Sequence, residues 1–424
     1  MHMKKIIKKI ALLLIFFCIG VGVTLLYTNN KYGVYEKEET KQIKKHVDTI
    51  SMMLETEAKS GNYERTTRES WPTEGYVFNT TLSKCENGGE LSWDDEKKVV
   101  LMSGNVSDKC YVYFDVYVPP RFDEICDETT LACHVAKLYT GTQGDNNIYY
   151  HDSSLTNGAG DSSYRYSGAN PNNYVCFGSN ESTCPTDNPY RIIGVFGNNV
   201  KLIKYDYGTS ALLGTDGDYQ ETGTPSASYY KGSLTTIDIY YWNNSTKKNT
   251  WSESLLNKTN LNTNFINNIG TEWANKIATT TWKVGGNTYS NIYSKTPSVV
   301  YQNEIVNPVA TNTTDNATEY TAKIGLMYLS DYGFAAEPSA LTLTMGNYNN
   351  TTATSTNWMY MGLYEWTLSR DAGYSNAAFI VNYDGNVGNN IVNGDRAVRP
   401  SFNLESSITY ASGSGTQSDP IRIN

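Results

Sequence analysis

The stretch of sequence that decides the fold lies near the carboxyl end, where residues 358–404 read WMYMGLYEWTLSRDAGYSNAAFIVNYDGNVGNNIVNGDRAVRPSFNL. Short apolar segments alternate here with turn-forming and polar ones, a pattern typical of strands joined by tight loops. Between residues 371 and 396 we predict a framework of core positions: Ala378, Phe379, Val381, Gly385, Val387, Val392 and Gly394. Arg399 and Pro400 belong to the same framework, and we expect Arg399 to form a buried ion pair with Glu365.

The polar positions between residues 371 and 396 form a candidate contact surface. Twelve of these 26 positions are Asn, Tyr, Ser or Asp. Tyr side chains supply rigid contact area at small entropic cost, while Asn and Ser side chains supply adaptable hydrogen bonds. We therefore predict a ligand-binding site made of Asp371, Tyr374, Asn376, Tyr383, Asp384, Asn386, Asn389, Asn390, Asp395 and Arg396. The alternative is that Asn- and Gly-rich turns connect short strands, as in proteins from AT-rich genomes.

The larger region that contains this stretch, residues 133–424, is rich in Asn, Tyr, Ser, Gly and Thr and has few charges. Residues 190–196 and 200–204 predict a hairpin whose turn is Gly197–Asn199. The remaining predicted elements of this region are helices near 252–258 and 262–277, and strands within 322–329, 398–404 and 420–423. Strands and helices in this mixture predict the α+β class.

Several of these segments occur together in an order that resembles a known family. They are YRIIGV at 190–195, WSESLL at 251–256, KIGLM at 323–327, and the stretch from WTLSR at 366–370 to VRP at 398–400. The chain resembles the formylglycine-generating-enzyme-like branch of the C-type lectin fold, as found in surface proteins of Gram-positive gut bacteria. It is also similar to the variable proteins of diversity-generating retroelements. The resemblance covers roughly residues 135–424, and it implies a C-type-lectin-like ligand-binding domain at 133–424 whose late residues are changeable.

The oxidase activity that this resemblance implies does not carry over. That chemistry needs a late cysteine pair to hold copper, and no cysteine follows Cys184. Histidine is also missing after His151, so neither a Ser-His-Asp triad nor a Cys-His pair can form late in the chain. We expect His134 and His151 to be surface residues. The sequence therefore predicts no cofactor and no enzymatic activity.

Paired carboxylates remain the alternative chemistry, because glycoside hydrolysis needs only two acids at a suitable separation. The densest acidic clusters are Asp94–Glu96 and the group Asp216, Asp218 and Glu221, which we expect to be solvated loop acids. Calcium would require oxygen ligands on a loop of suitable register. Segments 215–218, 384–386 and 337–339 offer such oxygens without that register, so we predict structural turns there and no metal site.

The amino terminus predicts a membrane anchor at residues 1–30. Lys4, Lys5, Lys8 and Lys9 precede an uncharged stretch whose apolar part, Ile10–Leu26, is 17 residues long. This length is at the lower limit for a membrane-spanning helix, and the lysines place their end in the cytoplasm. We therefore predict a single-pass cell-membrane protein with the bulk of the chain outside. The alternative is a signal peptide cleaved after Gly20–Gly22.

After the anchor, residues 31–61 predict a stalk helix and residues 70–120 a small β domain. Ile43, Val47, Ile50 and Leu54 recur at helical spacing. Alternating strand-like segments follow at 76–78, 99–102 and 111–118, and Pro119–Pro120 predicts a domain boundary. A membrane helix, a continuing helix and a disulfide-held sheet resemble the plan of pilin-like proteins, so a structural subunit is one alternative function.

The cysteines indicate an oxidising compartment. Apart from Cys18, the six cysteines fall into close pairs: Cys85 with Cys110, Cys126 with Cys133, and Cys176 with Cys184. Six cysteines allow 15 connectivities, and we predict nearest-neighbour disulfides. Zinc is the weaker alternative, because no pair has the tight C-x-x-C spacing of a zinc site.

Composition and charge narrow the partners. The net charge of −9 makes nucleic acid a poor partner, since a phosphate backbone demands a basic face. We predict a membrane-anchored display protein that binds an extracellular protein or glycan without transforming it. A carbohydrate-active hydrolase and a pilin-like subunit are the alternatives.

Overall fold

The computed structural model describes residues 50–67, 70–72, 74–104, 108–226, 228–308, 316–349 and 351–424. The chain divides after Pro120 into two compact units, at the position where the sequence predicts a boundary. The predicted anchor at residues 1–30 lies outside the described residues. Within the described ranges, no helix combines the length and apolarity needed to cross a bilayer.

The first unit is a β unit. Its described strands are β1 (Ile50–Glu55), β2 (Tyr63–Arg65), β3 (Tyr76–Phe78), β4 (Lys84–Cys85), β5 (Glu90–Asp94), β6 (Val99–Ser103) and β7 (Cys110–Val116). The main sheet has the order β2-β1-β7-β3, and β4 also pairs with β7. Strands β5 and β6 form a separate antiparallel pair. Along β7, Cys110, Val112 and Phe114 are fully buried, so one face of the strand packs on the core.

The predicted stalk helix is wrong where the structure describes it. Residues 50–55 form strand β1, which pairs in parallel with β7 from Ile50 opposite Cys110 to Leu54 opposite Phe114. Ile50 and Leu54 are four residues apart, a spacing that fits a helix face and also one face of a strand. Met52 lies between them in the same core, which gives the period of two. The β unit therefore includes β1 as well as residues 70–120, and residues 31–49 of the predicted helix lie outside the described ranges.

Aromatic packing and one disulfide hold the first unit. Trp93 stacks on Phe78 at a centroid separation of 6.2 Å and meets Phe114 edge to face at 5.5 Å. Such pairs add stability beyond their buried area. The predicted Cys85–Cys110 disulfide is confirmed, and it joins β4 to the start of β7.

The second unit mixes many strands with short helices, so the predicted α+β class is confirmed. Its described strands are β8 (Ile148–His151), β9 (Ser163–Tyr166), β10 (Tyr174–Cys176), β11 (Pro189–Phe196), β12 (Asn199–Lys204), β13 (Tyr219–Gly223), β14 (Ile237–Tyr241), β15 (Thr280–Lys283), β16 (Glu319–Ala322), β17 (Ile324–Gly325), β18 (Glu365–Arg370), β19 (Ala377–Val381), β20 (Val387–Ile391), β21 (Asp395–Arg396), β22 (Ser401–Asn403), β23 (Tyr410–Ser412) and β24 (Arg422–Ile423).

The helices of the second unit are short. The described α-helices are α1 (Phe122–Ile125), α2 (Leu131–Ala136), α3 (Ser210–Leu213), α4 (Ile266–Ile269), α5 (Thr271–Ala274), α6 (Tyr289–Ile292), α7 (Pro297–Tyr301), α8 (Leu329–Phe334) and α9 (Thr351–Thr356). The 3₁₀ turns are Asp145–Asn147, Trp251–Glu253, Pro338–Ala340 and Met345–Asn347, and the π-helices are Leu256–Phe265 and Gln302–Val306. The predicted helices near 252–258 and 262–277 are confirmed only in part. Residues 251–253 and 256–265 form a 3₁₀ turn and a π-helix, and Gly270, at φ +81°, separates α4 from α5.

The main sheet of the second unit has the order β17-β22-β12-β11-β9-β8, with β10 also paired to β11. The predicted hairpin is confirmed as β11 and β12, which are antiparallel. Strand β22 comes from near the carboxyl end, yet it lies between β12 and β17. Two smaller sheets, β18-β19-β20 and β13-β14-β21, carry the late residues. The predicted Cys126–Cys133 and Cys176–Cys184 disulfides are confirmed.

The predicted ion pair between Arg399 and Glu365 is confirmed. Arg399 Nε lies 2.7 Å from Glu365 Oε1, and both side chains are at most 2% exposed. Arg399 Nη2 donates a second hydrogen bond, to the carbonyl oxygen of Met359 at 2.7 Å. The pair joins β18 to the segment that enters β22, beside backbone hydrogen bonds that link residues 364 and 366 to Ala397.

Replacing Glu365 with Ala is expected to lower the free energy of unfolding by about 3–5 kcal/mol, because Arg399 is left buried without its carboxylate. Chemical denaturation of the variant measures this loss. The exposed Glu405→Ala variant is the matched control and should change stability by less than about 0.5 kcal/mol. Equal losses in the two variants would contradict the structural role of the pair.

Candidate functional site

The framework predicted between residues 371 and 396 is largely confirmed. Ala378, Phe379, Val381, Val387 and Val392 are at most 3% exposed. Among the predicted ligand-binding residues, the exposed ones are Tyr374, Asn376, Tyr383 and Asp395, and those of intermediate exposure are Asp384, Asn386, Asn389, Asn390 and Arg396. The polar residues therefore do alternate with a buried framework.

Asp371 does not belong to this surface, and its prediction as an exposed binding residue is wrong. Its side chain is fully buried. One carboxylate oxygen accepts the Gly373 amide at 2.8 Å, and the other accepts the Asn389 side-chain amide at 2.6 Å. Burial raises the pKa of Asp371, and these hydrogen bonds oppose the rise. Asp371 acts inside the loop, where it also occupies part of the hydrogen-bonding capacity of Asn389.

Several asparagines of the region hold turns rather than face solvent freely. In the turn between β19 and β20, the backbone amide of Asn382 donates to the backbone carbonyl oxygen of Asn386. The side-chain amide of Asn382 donates to the side-chain oxygen of Asn386. Gly385 lies in the same turn at φ +97°, and its carbonyl oxygen accepts the Tyr332 hydroxyl at 2.7 Å. Such side-chain bonds are a known reason for Asn in turns. The structural alternative for the Asn-rich composition is therefore confirmed for this turn.

Three exposed tyrosines from different parts of the chain meet at Tyr383, which contacts the other two. Tyr383 lies 4.9 Å from Tyr229 and 5.2 Å from Tyr364 between ring centroids. The three side chains are 45%, 39% and 38% exposed at Tyr229, Tyr364 and Tyr383. We call these three residues the tyrosine surface. Of the three, the sequence predicts only Tyr383 as a binding residue. Tyr229 and Tyr364 lie outside residues 371–396, and no local pattern marks them.

Backbone contacts beneath the tyrosine surface bring its segments together. Gly362 has φ +82°, and a Cβ atom there would lie 1.8 Å from the carbonyl oxygen of Tyr229. Only glycine permits this approach. The Tyr360 hydroxyl donates to the carbonyl oxygen of Tyr383 at 2.6 Å, and the Ala397 amide donates to that of Tyr364 at 3.0 Å. The backbone of each of the three tyrosines is therefore held by a close contact or a hydrogen bond, which fixes where its side chain begins.

Two cations lie over rings at this place. The Arg396 guanidinium lies 4.8 Å above the Tyr364 ring, and Lys231 Nζ lies 4.4 Å above the Tyr360 ring. Arg396 Nη1 donates to the carbonyl oxygen of Asp395 at 2.5 Å, whereas Arg396 Nε is buried without a hydrogen-bond partner in the described part of the chain. Burial lowers the pKa of both Arg396 and Lys231.

Tyr374 is presented by a separate loop that a buried asparagine holds. The Asn249 side-chain amide donates to the carbonyl oxygens of Asp371, Tyr374 and Ala377 at 2.7–2.9 Å. Asn249 itself is fully buried, while the Tyr374 side chain is 57% exposed. A buried amide with all of its donors used fixes the loop that carries the exposed ring.

A cluster of charged side chains in the second unit is mostly buried and paired. Lys201 Nζ lies 2.5 Å from Asp331, and Arg165 Nη2 lies 2.6 Å from Asp161. Glu304 accepts the backbone amides of residues 329 and 330, each at 3.0 Å, as well as the hydroxyls of Ser330 and Ser369. A substrate has no access to side chains buried in this way, so the cluster supports the fold.

Two predictions about titratable residues are wrong. His151 is 1% exposed rather than a surface residue, and its Nδ1 accepts the Ala159 amide at 3.0 Å. Asp218 is also 1% exposed rather than a solvated loop acid, because it accepts the amides of Asn244 and Leu256. Both side chains satisfy backbone donors of loops, a role that composition alone cannot distinguish from an exposed one. In the described residues, no group of three potential ligands is placed to hold a metal ion.

A polar groove of about 310 Å³ lies beside the Cys176–Cys184 disulfide. Trp273, Glu181 and Arg422 contribute to its lining. Arg422 already donates to the carbonyl oxygen of Ser182 at 3.0 Å. The aromatic ring of this groove, Trp273, is buried and its arginine is already hydrogen-bonded, whereas the three tyrosine rings are exposed.

Replacing Asn249 with Ala is expected to lower the free energy of unfolding by about 2–4 kcal/mol, because three carbonyl oxygens each lose one hydrogen bond. Amide hydrogen exchange should also quicken in residues 371–377. The exposed Asn376→Ala variant is the control for this loop and should leave both measurements near those of the parent protein. Unchanged exchange in Asn249→Ala would show that the amide does not hold the loop.

Glu304 is expected to make stability depend on pH. Burial raises its pKa from 4.5 to about 7, against the opposing effect of its hydrogen bonds. A carboxyl whose pKa is raised by folding contributes stability below pH 4.5 and loses it as the pH rises through 7. The free energy of unfolding, measured by denaturation, should therefore be lower at pH 8 than at pH 5. The Glu304→Gln variant should reduce this difference by up to about 3 kcal/mol. An unchanged fall in that variant would assign the pH dependence to other groups.

The geometry above has to be interpreted from this chain alone. Comparison of the chain with protein-family models, with curated proteins and with solved structures finds no match. The tyrosine surface, the Tyr374 loop and the buried supports beneath them are therefore the observations from which a function can be proposed.

Proposed function

We propose that this chain is a membrane-anchored, extracellular binding protein whose second unit is a C-type-lectin-like domain. The domain binds an extracellular protein or glycan noncovalently through its late loops. The observation that carries this proposal is the tyrosine surface, in which Tyr229, Tyr364 and Tyr383 are exposed and Tyr383 contacts both of the other rings. Tyr374 and Asn376 are exposed on the loop between β18 and β19, at the opposite end of β19 from Tyr383, and form a second candidate contact region.

Exposed but ordered tyrosines are suited to binding. Binding costs free energy when flexible side chains become fixed, and rings that already pack on one another lose little freedom. Tyr and Arg are also the residues that most often dominate binding free energy at interfaces. Tyr383 is held between two neighbours, and Arg396 lies over one of them. The surface therefore combines preformed contact area with a cation.

The disulfides support an extracellular location. All three join cysteines close in sequence, with separations of 25, 7 and 8 residues. Such bonds persist in oxidising compartments and are rare in the cytosol. Together with the basic and apolar amino terminus, they favour a single-pass anchor with the rest of the chain outside. The net charge of −9 favours partners other than nucleic acid.

Tyr383→Ala is expected to weaken binding at least about tenfold while the melting temperature stays within about 2 °C, because an exposed ring contributes little to stability. Tyr374→Ala should also weaken binding without unfolding the protein. Binding is measured on a glycan array and on immobilised mucin.

The matched control is Tyr117→Ala, which removes a 51% exposed ring from the first unit and should bind like the parent protein. Parent-level binding by the Tyr383→Ala variant would contradict the proposed site. Release of sugar from the array, eliminated by one Asp or Glu substitution, would instead identify a hydrolase.

A further inference from the structure

We infer that the tyrosine surface takes an acidic saccharide, whose ring packs against Tyr383 and its neighbours and whose carboxylate pairs with Arg396. This inference rests on the proposed function and adds the chemical class of the ligand. It is drawn from three exposed tyrosine rings that meet at Tyr383 and from one part-buried guanidinium that lies over the Tyr364 ring.

The rings offer both kinds of contact that a sugar makes. The Tyr229 and Tyr364 rings are inclined to the Tyr383 ring by 58° and 79°, so faces and edges are presented together. An aromatic face carries negative charge density and attracts the positively polarised C–H groups of a sugar ring. Within the described residues, the hydroxyls of these three tyrosines have no hydrogen-bond partner, and they remain available to sugar hydroxyls.

Arg396 supplies a charge for an acidic group. A guanidinium has five N–H donors and binds a carboxylate through two parallel hydrogen bonds. In this structure only Nη1 donates, to the backbone oxygen of Asp395, and the Asp395 carboxylate is 3.7 Å away. The guanidinium also lies over the Tyr364 ring, 4.8 Å from its centroid. Arg396 is thus oriented and only partly neutralised.

Other acidic ligands fit less well. A nucleic acid needs an extended basic face, whereas Asp384 and Asp395 lie in the same stretch as Arg396 and the chain carries a net charge of −9. An acidic peptide offers carboxylates but few polarised C–H faces to pack on the three tyrosines. A saccharide with one acidic group per ring matches a patch in which a single guanidinium adjoins several rings.

The test uses a galacturonic acid trisaccharide and its methyl ester, which keeps the rings and removes the charge. Calorimetric titration of the parent protein should show the acid binding at least about tenfold more tightly than the ester, because charge-assisted hydrogen bonds are stronger than neutral ones. Arg396→Gln should abolish this difference, and Arg396→Lys should restore only part of it. Added salt should weaken binding of the acid and leave that of the ester unchanged.

Arg422→Gln is the matched control, because it removes a guanidinium whose contact is Ser182, outside the tyrosine surface. That variant should keep the preference for the acid. Equal binding of acid and ester would overturn the inference yet leave the proposed function standing, provided that Tyr383→Ala still abolishes binding. Failure of the parent protein to bind either probe, or equally tight binding of a glutamate hexapeptide, would also overturn the inference.

Discussion

The buried pair of Glu365 and Arg399 is the interaction on which the late part of the structure depends. Its atoms are 2.7 Å apart where water does not reach, so each charge requires the other. Tyr364 directly precedes Glu365 in the chain. Arg396 lies shortly before Arg399, and the intervening Ala397 forms backbone hydrogen bonds with residues 364 and 366. The position of the exposed ring and its guanidinium is therefore set from below by a charge pair in the core.

Buried amides give the second unit much of its remaining order. Asn249 ties three carbonyl oxygens of one loop, and Asn260 binds the backbone of residues 213, 216 and 218 from within a π-helix. Asn173 and Asn357 tie their own segments to regular elements, because they donate to the carbonyl oxygens of Ile192 in β11 and of Tyr332 in α8. Loops carry many backbone groups that strands and helices do not satisfy, and side-chain amides can pair with both donors and acceptors. The high asparagine content is in part a consequence of this loop-rich architecture.

Sequence patterns predicted the features that depend on local order or on strong chemical constraint. The β11–β12 hairpin follows from two apolar segments around an Asn-rich turn, the disulfides from close cysteine spacing, and the Arg399 pair from an arginine within an apolar framework. Strand β1 was missed because spacings of four residues fit both helix and strand, and only pairing with β7 decides between them. Tyr229 and the burial of Asp371 were not predicted, because exposure depends on contacts between segments distant in sequence. The tyrosine surface is a property of the assembled fold and has no local signature.

The place of strand β22 has a consequence for how the second unit is made. Residues 401–403 insert between β12 and β17, so the interior of the main sheet can be completed only after a strand far downstream of β12 has been synthesised. Until then, two strands keep open edges that could recruit another chain. The short disulfide loops can close much earlier, because their cysteines are neighbours. The small covalent loops can therefore close as the polypeptide emerges, whereas the main sheet can be completed only after β22 has been synthesised.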